Sequence, residues 1–271
     1  MTSPILTGPL FLIGCGNMAG AMLEGWLAAG ADPRLITIVR PSGRAPAPGI
    51  RTLTALPEDE VPALVLLGVK PQKLAEIAPV VAPALEPETI LVSILAGTTL
   101  ATLRGHFRAP RTVVKAMPNL PVSLGKGVTE LFTDEASAAP GKAEVERLMA
   151  ALGHVEWFDD EQLFAVASAL TAAAPAFLYR FIDALAAGGE ALGLPAEQAA
   201  RLAAAMTEGA SALAAGAAAS PRELARRVAS PGGTTEAGLA VLDGEGGLEA
   251  LVLRTLEASR RRGREMAASP S

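Results

Sequence analysis

Sulfur, histidine and aromatic residues are scarce in this chain. Its single cysteine, Cys15, excludes an internal disulfide and fits a reducing cytoplasm. Its two histidines, His106 and His154, stand far apart and outside any motif, so they compose no metal site. Aromatic residues make up 4% of the sequence, which leaves the core to aliphatic side chains. Charged residues are 19%, and the net charge is −5, which argues against nucleic acid as a main partner. No lysine follows Lys142. The start of the chain lacks the basic segment and cleavage site of a secretory signal.

One uncharged run, residues 162–179, has about the length of a membrane span. Its content points elsewhere. It is rich in alanine, carries Ser168 and Thr171, contains Pro175, and is followed at once by Arg180 and Asp183. A helix apolar all round also suits a subunit interface or a large core. Burial in protein, and no membrane, is the expectation.

The remainder is hydrophobic enough to fold: 50% of 271 residues, room for two ordinary domains. Short apolar runs at residues 10–13, 35–39, 63–69, 90–95, 112–116 and 128–132 read as strands. Helical stretches at residues 21–29, closed by Gly30, and from residue 73 to 81 alternate with them. That alternation predicts βαβ units and a doubly wound parallel sheet of the Rossmann type. Beyond Asp159 the sequence turns alanine-rich and helix-favouring. Breaks come at Gly188-Gly189, Gly193-Leu194-Pro195, Ser220-Pro221 and Ser230-Pro231. The expected organisation is a nucleotide-binding domain over residues 1–158 and an all-helical domain over residues 159–271.

Gly14 and Gly16 follow the first strand and precede the first helix. Gly14 permits the tight turn, Gly16 lets a pyrophosphate approach the backbone, and Ala19 takes the small position where helix meets strand. The helix start then offers free N–H groups to phosphate. An NAD site usually has an acidic residue at the end of the second strand. This chain has Arg40, Ser42 and Arg44 there and no acid before Glu58. Guanidinium and hydroxyl groups suit a 2′-phosphate, so NADPH is expected over NADH.

The segment Ser230-Pro231-Gly232-Gly233-Thr234-Thr235 is the other informative one. Two glycines and two threonines make a backbone that a small carboxylate can approach, with hydroxyls aimed at it. The same residues also suit the opening of a helix, and an exposed helix start is itself an anion site.

Several separated segments now converge. They are residues 13–19 (Ile-Gly-Cys-Gly-Asn-Met-Ala), Gly68-Val69-Lys70-Pro71-Gln72, Ser93 with Ala96-Gly97, Met117-Pro118-Asn119-Leu120-Pro121, Asp183-Ala184-Leu185 with Gly193-Leu194-Pro195, and Val228 to Thr235 with Gly238-Leu239. In this order, nearly end to end, the chain resembles the pyrroline-5-carboxylate reductases, which make proline by reducing a cyclic imine. The resemblance implies that Ile13, Gly14, Cys15, Gly16, Asn17 and Met18 cradle the pyrophosphate, with Arg40 and Ser42 toward the 2′-phosphate. Val69, Lys70, Pro71, Ala96 and Gly97 would line the nicotinamide side. It implies a helical dimerisation domain, a homodimer often assembled into a ring of dimers, and an imine held by Gly232, Gly233, Thr234 and Thr235. Thr235 would stand near the ring nitrogen, with Ser230 beside it as a second catalytic residue.

The chemistry agrees with that implication. Hydride lands on the carbon of a C=N bond, so the site must orient the imine and partner its nitrogen rather than supply a strong acid. The Thr235 hydroxyl offers that partner, and the N–H groups of Gly233 and Thr234 offer a grip on a carboxylate. Among the departures from the family, one segment stands out. Thr171-Ala172-Ala173-Ala174-Pro175 has alanines where the family has glycines, so a relative acting on another cyclic imine stays open, as does a non-catalytic NADP(H)-binding protein. Reductases of the hydroxyacid type share the two-domain plan but use a lysine in the second domain, and this chain has none there.

Overall fold

The structure is a computed structural model that describes residues 4–134 and 139–268. The chain divides into two compact units. One runs to Ala173 and takes in the chain from Ser259 on; the other is Ala174–Ala258.

The first unit is built on one eight-stranded sheet. Its strands are β1 (Leu10–Ile13), β2 (Ile36–Val39), β3 (Arg51–Leu53), β4 (Leu64–Leu67), β5 (Ile90–Ser93), β6 (Thr112–Pro118), β7 (Gly127–Phe132) and β8 (Gly153–Phe158). The spatial order is β3-β2-β1-β4-β5-β6-β7-β8. Strand order reverses between β1 and β4, the switch point at which open α/β sheets take ligands. In register, Leu12 lies opposite Ile38 on one side and Leu66 on the other.

The sheet is mostly parallel, as expected, but β7 runs antiparallel to β6. The reason is the connection. Only residues 119–126 separate the two strands, too few for a parallel crossover of a dozen or more residues. β8 then pairs parallel with β7, after a crossover that includes a helix. β3 and β8 were not legible in the sequence. β3 has three residues, and β8 alternates between half-buried and exposed positions at the sheet edge, with no apolar run.

Aliphatic layers cover both faces. On one face lie α1 (Asn17–Ala28), through Met22, Leu23 and Trp26, and α4 (Ala139–Ala150), through Val145, Leu148 and Met149. The Trp26 indole N–H donates to the Leu148 carbonyl at 2.9 Å, satisfying the one polar atom of a fully buried ring. On the other face lie α2 (Leu74–Val81), α3 (Leu100–His106) and α5 (Glu161–Thr171), through Leu74, Val81, Leu103 and Phe164. Gly30, at φ 92°, closes α1: its N–H meets the Leu27 carbonyl and that of Ala31 meets Trp26.

The second unit is helical: α6 (Ala174–Ala191), α7 (Ala196–Gly216), α8 (Pro221–Val228), α9 (Thr234–Leu242) and the first part of α10 (Leu248–Ala268). Ala199, Ala203 and Thr207 form the buried stripe of α7, spaced one turn apart. Gly188-Gly189, expected as a break, lies inside α6 instead. A Cβ on Gly189 would stand 3.3 Å from the Leu194 side chain and 3.4 Å from the Cβ of Ala199, so α6 and α7 run close there without strictly requiring glycine. The chain turns at Gly193, φ 105°. Ser220 opens α8 by accepting from the Glu223 N–H at 3.2 Å, with Pro221 first in the helix.

Candidate functional site

The carboxyl ends of β1 and β4 build the first half of the site. Gly14 has φ 79°, which only glycine adopts freely, and its N–H donates to the Val39 carbonyl at 2.8 Å. A Cβ there would also meet the Val69 side chain at 2.7 Å. Gly16 is the N-cap of α1, and a Cβ on it would meet nothing within 4 Å. Packing inside the chain therefore does not require glycine at 16, and the space above it is open. No side chain caps α1 and no acid stands in its first turn. The N–H groups of Asn17 and Met18 have no side-chain cap and lie in the helix field that favours an anion.

The other expected cofactor residues gather on this edge. Ile13 ends β1, and its carbonyl accepts from the Gly68 N–H at 2.9 Å. Val69 and Lys70 follow β4, and Lys70 precedes a 3-10 turn opened by Pro71. Ala96 and Gly97, the latter at φ 74°, follow β5. Arg40 and Ser42 follow β2, with the Arg40 N–H donating to the Leu53 carbonyl at 2.9 Å. Among the described residues neither Arg40 nor Arg44 makes an ion pair, so both guanidinium groups remain available to a phosphate. Cys15 is half-buried against the core, and burial pushes its thiol above the usual range, opposed by Arg40 and reinforced by Glu24. It is a thiol filling space in the turn. Gly14, Gly16 and Arg40 thus fit a dinucleotide with a 2′-phosphate.

The second unit carries the other expected residues in one turn and one helix start. Ser230, Pro231, Gly232 and Gly233 form a type II turn: Pro231 is second, Gly232 has φ 70°, and the Gly233 N–H donates to the Ser230 carbonyl at 2.9 Å. A Cβ on Gly233 would lie 2.7 Å from Ser230 Oγ, so the turn demands glycine at that position as well. Gly233, not a threonine, is the N-cap of α9, and no side chain caps it. The Gly232 N–H is taken by the Glu236 carboxylate at 2.7 Å. The expected grip on a carboxylate therefore moves. The Gly233 N–H is consumed by the turn, and the uncapped donors are those of Thr234 and Thr235, both on exposed residues.

Sequence reading passed over Glu130 and met Asn119 and Thr171 only within family segments, yet the structure joins the three. The Asn119 amide donates to the Thr171 carbonyl at 3.2 Å and accepts from the Val128 N–H at 2.9 Å. Glu130 bonds the Thr171 hydroxyl. Glu130 gave no signal, because a lone acid in a six-residue strand reads as an exposed edge position. The histidines stand apart: His106 is in the last turn of α3, and His154 faces Glu156 on β8.

A switch-point glycine turn on a parallel sheet, continued into a helical unit, defines a nicotinamide-dinucleotide oxidoreductase. Comparison narrows the class. The family model for pyrroline-5-carboxylate reductase dimerisation matches residues 161–266, and that for NADP oxidoreductase, coenzyme F420-dependent, matches residues 10–97. A pyrroline-5-carboxylate reductase of Pseudomonas aeruginosa is 36% identical over 96% of this chain and 97% of its own length. The solved structure of a pyrroline-5-carboxylate reductase from Coxiella burnetii superposes with a TM-score of 0.86 at 30% identity, covering 97% of this chain and 100% of that one. A pyrroline carboxylate reductase of Plasmodium falciparum with NADP bound shares the fold, with a TM-score of 0.84 at 21% identity over 97% and 99% of the two chains. The chain belongs to the pyrroline-5-carboxylate reductase family.

Proposed function

We propose that this protein reduces 1-pyrroline-5-carboxylate to L-proline with NADPH. The observation that carries the reading is end-to-end identity with a curated pyrroline-5-carboxylate reductase, 36% over 96% of the chain, joined to an uncapped helix start in the segment most typical of that family. When bound, NADPH supplies the hydride that lands on the imine carbon. The chain's own residues do the rest. Residues 13–18 cradle the pyrophosphate, with the uncapped N–H groups of Asn17 and Met18 as its donors. Arg40 and Ser42 take the 2′-phosphate, and Val69, Lys70, Pro71, Ala96 and Gly97 border the nicotinamide. The N–H groups of Thr234 and Thr235 bind the substrate carboxylate at the α9 start, over Gly232 and Gly233. The Thr235 hydroxyl partners the imine nitrogen, with Ser230 beside it, as the nitrogen becomes an amine.

The assembly follows from the helical unit. Tyr179, Leu202, Met206 and Leu251 are each more than 50% exposed in the single chain. Residues Glu161–Ala191 are apolar and long enough to cross a bilayer by length and composition. A second copy of the chain, not lipid, covers these faces, in a cytoplasmic homodimer that can extend to a ring of dimers. Residues 1–158 act as the cofactor-binding domain and residues 159–271 as the dimerisation and substrate domain. The alanines at 172–174 favour one second reading, a different cyclic imine as the preferred substrate. The test is a panel of cyclic imines with NADPH and with NADH, following NADPH oxidation and proline formation. Turnover of pyrroline-5-carboxylate with a kcat/KM above that of every other imine is expected. Failure to turn it over, by folded protein that binds NADPH, overturns the assignment.

A further inference from the structure

Glu130 is a carboxylic acid in a place that offers it almost nothing polar. It is 1% exposed, lies opposite Met117 in the β6–β7 register, and is two residues before Phe132, which belongs to the core. One carboxyl oxygen, Oε1, is hydrogen-bonded to the hydroxyl of Thr171, the last residue of α5. The other, Oε2, is buried with no hydrogen-bond partner among the described residues.

Counting protons favours one state of this group. Thr171 has one hydroxyl hydrogen. Its Oγ1 also stands 3.0 Å from the Ala167 carbonyl, one turn back. If Glu130 were ionised, that hydrogen would have two acceptors to serve, and the buried charge would be left with little beyond its own backbone N–H. If Glu130 carries a proton, the pieces fit. Its O–H donates to Thr171 Oγ1, the Thr171 O–H donates to the Ala167 carbonyl, and the orphan oxygen is a neutral carbonyl. Among the described residues no cation is placed to change this. On β6, Lys115 pairs with Glu161 at 2.6 Å, and Glu161 is the only charged residue of α5. Asp160 caps that helix at its far end, and Glu156, the β8 register neighbour, is exposed and faces His154. The turn Leu120–Leu124 carries no charge. Burial pushes the Glu130 carboxyl above the ordinary carboxylate range, opposed by its bonds to Thr171 and to its own backbone N–H.

Thr171 is held from its other side as well. Asn119, at the carboxyl end of β6, grips the Thr171 carbonyl while binding the first residues of β7. This is the sheet edge that carries the glycine turn. We propose that Glu130 is a positioning residue for the reduction, a neutral carboxylic acid that clamps the end of α5 through Thr171 and so fixes the chain at residues 171–173. The proposal rests on the proposed reaction, whose choice of imine the alanines at 172–174 bear on.

The test uses the full-length protein with Glu130→Gln and Thr171→Val. The Glu130→Gln side chain would keep an N–H donor toward Thr171 but could not ionise. Infrared spectra at neutral pH should show a protonated-carboxyl stretch that is absent from Glu130→Gln. In kinetics with pyrroline-5-carboxylate and NADPH, Glu130→Gln should stay within about twofold of the parent kcat at neutral pH, and keep its rate at alkaline pH where the parent declines. Thr171→Val should lose about three- to tenfold in kcat at every pH, the worth of one neutral hydrogen bond. A missing carboxyl band, a band that survives Glu130→Gln, or identical alkaline limbs in parent and variant would each overturn the proposal. No turnover by the parent would instead bring down the assigned reaction, with the infrared band still deciding whether the acid is neutral.

Discussion

Ala19 and Gly68 stand face to face where α1 crosses the end of β4: a Cβ on Gly68 would lie 2.9 Å from that of Ala19 and 3.1 Å from the Gly14 carbonyl oxygen. The contact sets how closely the helix start approaches the sheet, and hence where the N–H groups of Asn17 and Met18 point. Gly68→Ala should therefore act on stability and on cofactor together. Overpacking of this kind costs about 1–3 kcal/mol, and each kcal/mol lowers Tm by ~2–4 °C in a chain of this size. Calorimetry and NADPH titration should both report a loss. An unchanged Tm with unchanged affinity would show that the contact relaxes without consequence.

Arg40 follows the second strand with no carboxylate partner among the described residues, and its backbone is fixed by the Leu53 carbonyl. If its guanidinium reads the 2′-phosphate, Arg40→Asp removes a charge-assisted bond worth about 1.5–3 kcal/mol. The Kd for NADPH should rise about 10- to 100-fold, with a far smaller change for NADH. Equal losses for the two dinucleotides would take Arg40 out of phosphate recognition.

Thr235 combines an uncapped N–H and an exposed hydroxyl at the start of α9. Thr235→Ala keeps the first and deletes the second. Turnover should fall about tenfold or more, since a partner for the reacting nitrogen contributes that much even without full proton transfer. NADPH affinity should be nearly unchanged. A rate equal to that of the parent would leave the hydroxyl without a part in the reaction.

Much of this arrangement was written in local pattern. Residues 10–13 form a strand because they are apolar and bounded by Pro9 and Gly14; Gly30 ends α1 because its φ is positive. The two glycine-rich turns could be placed from sequence because their constraints are local ones of backbone angle and close approach. Long-range constraints left no such trace. The reversal at β7 follows from the length of a connection, and β8 is held by pairing with β7 more than by its own composition. The loss of the Gly233 N–H to the turn depends on a single hydrogen bond. Glu130 meets Thr171 across 41 residues, and no periodicity signals that a strand acid will be roofed by a helix end.

That roof makes folding stability depend on pH. Burial raises the pKa of Glu130 in the folded chain, whereas in the unfolded chain it titrates as an ordinary carboxyl. The folded state therefore binds this proton more tightly than the unfolded state does. Its contribution to stability is whole below the ordinary carboxylate range and is lost as pH rises through the raised value. Exposed pairs such as Arg51–Glu60 contribute little to the balance, since solvent screens them. Glu130→Gln keeps the hydrogen-bond geometry and removes the titration. Urea unfolding from about pH 5 to about pH 9, a window that starts just above the ordinary carboxylate pKa, should show the parent losing stability relative to Glu130→Gln as pH climbs, with the two converging in slope once Glu130 has ionised in both states. Parallel curves across the whole range would mean that Glu130 titrates alike folded and unfolded, and that its burial carries no electrostatic cost.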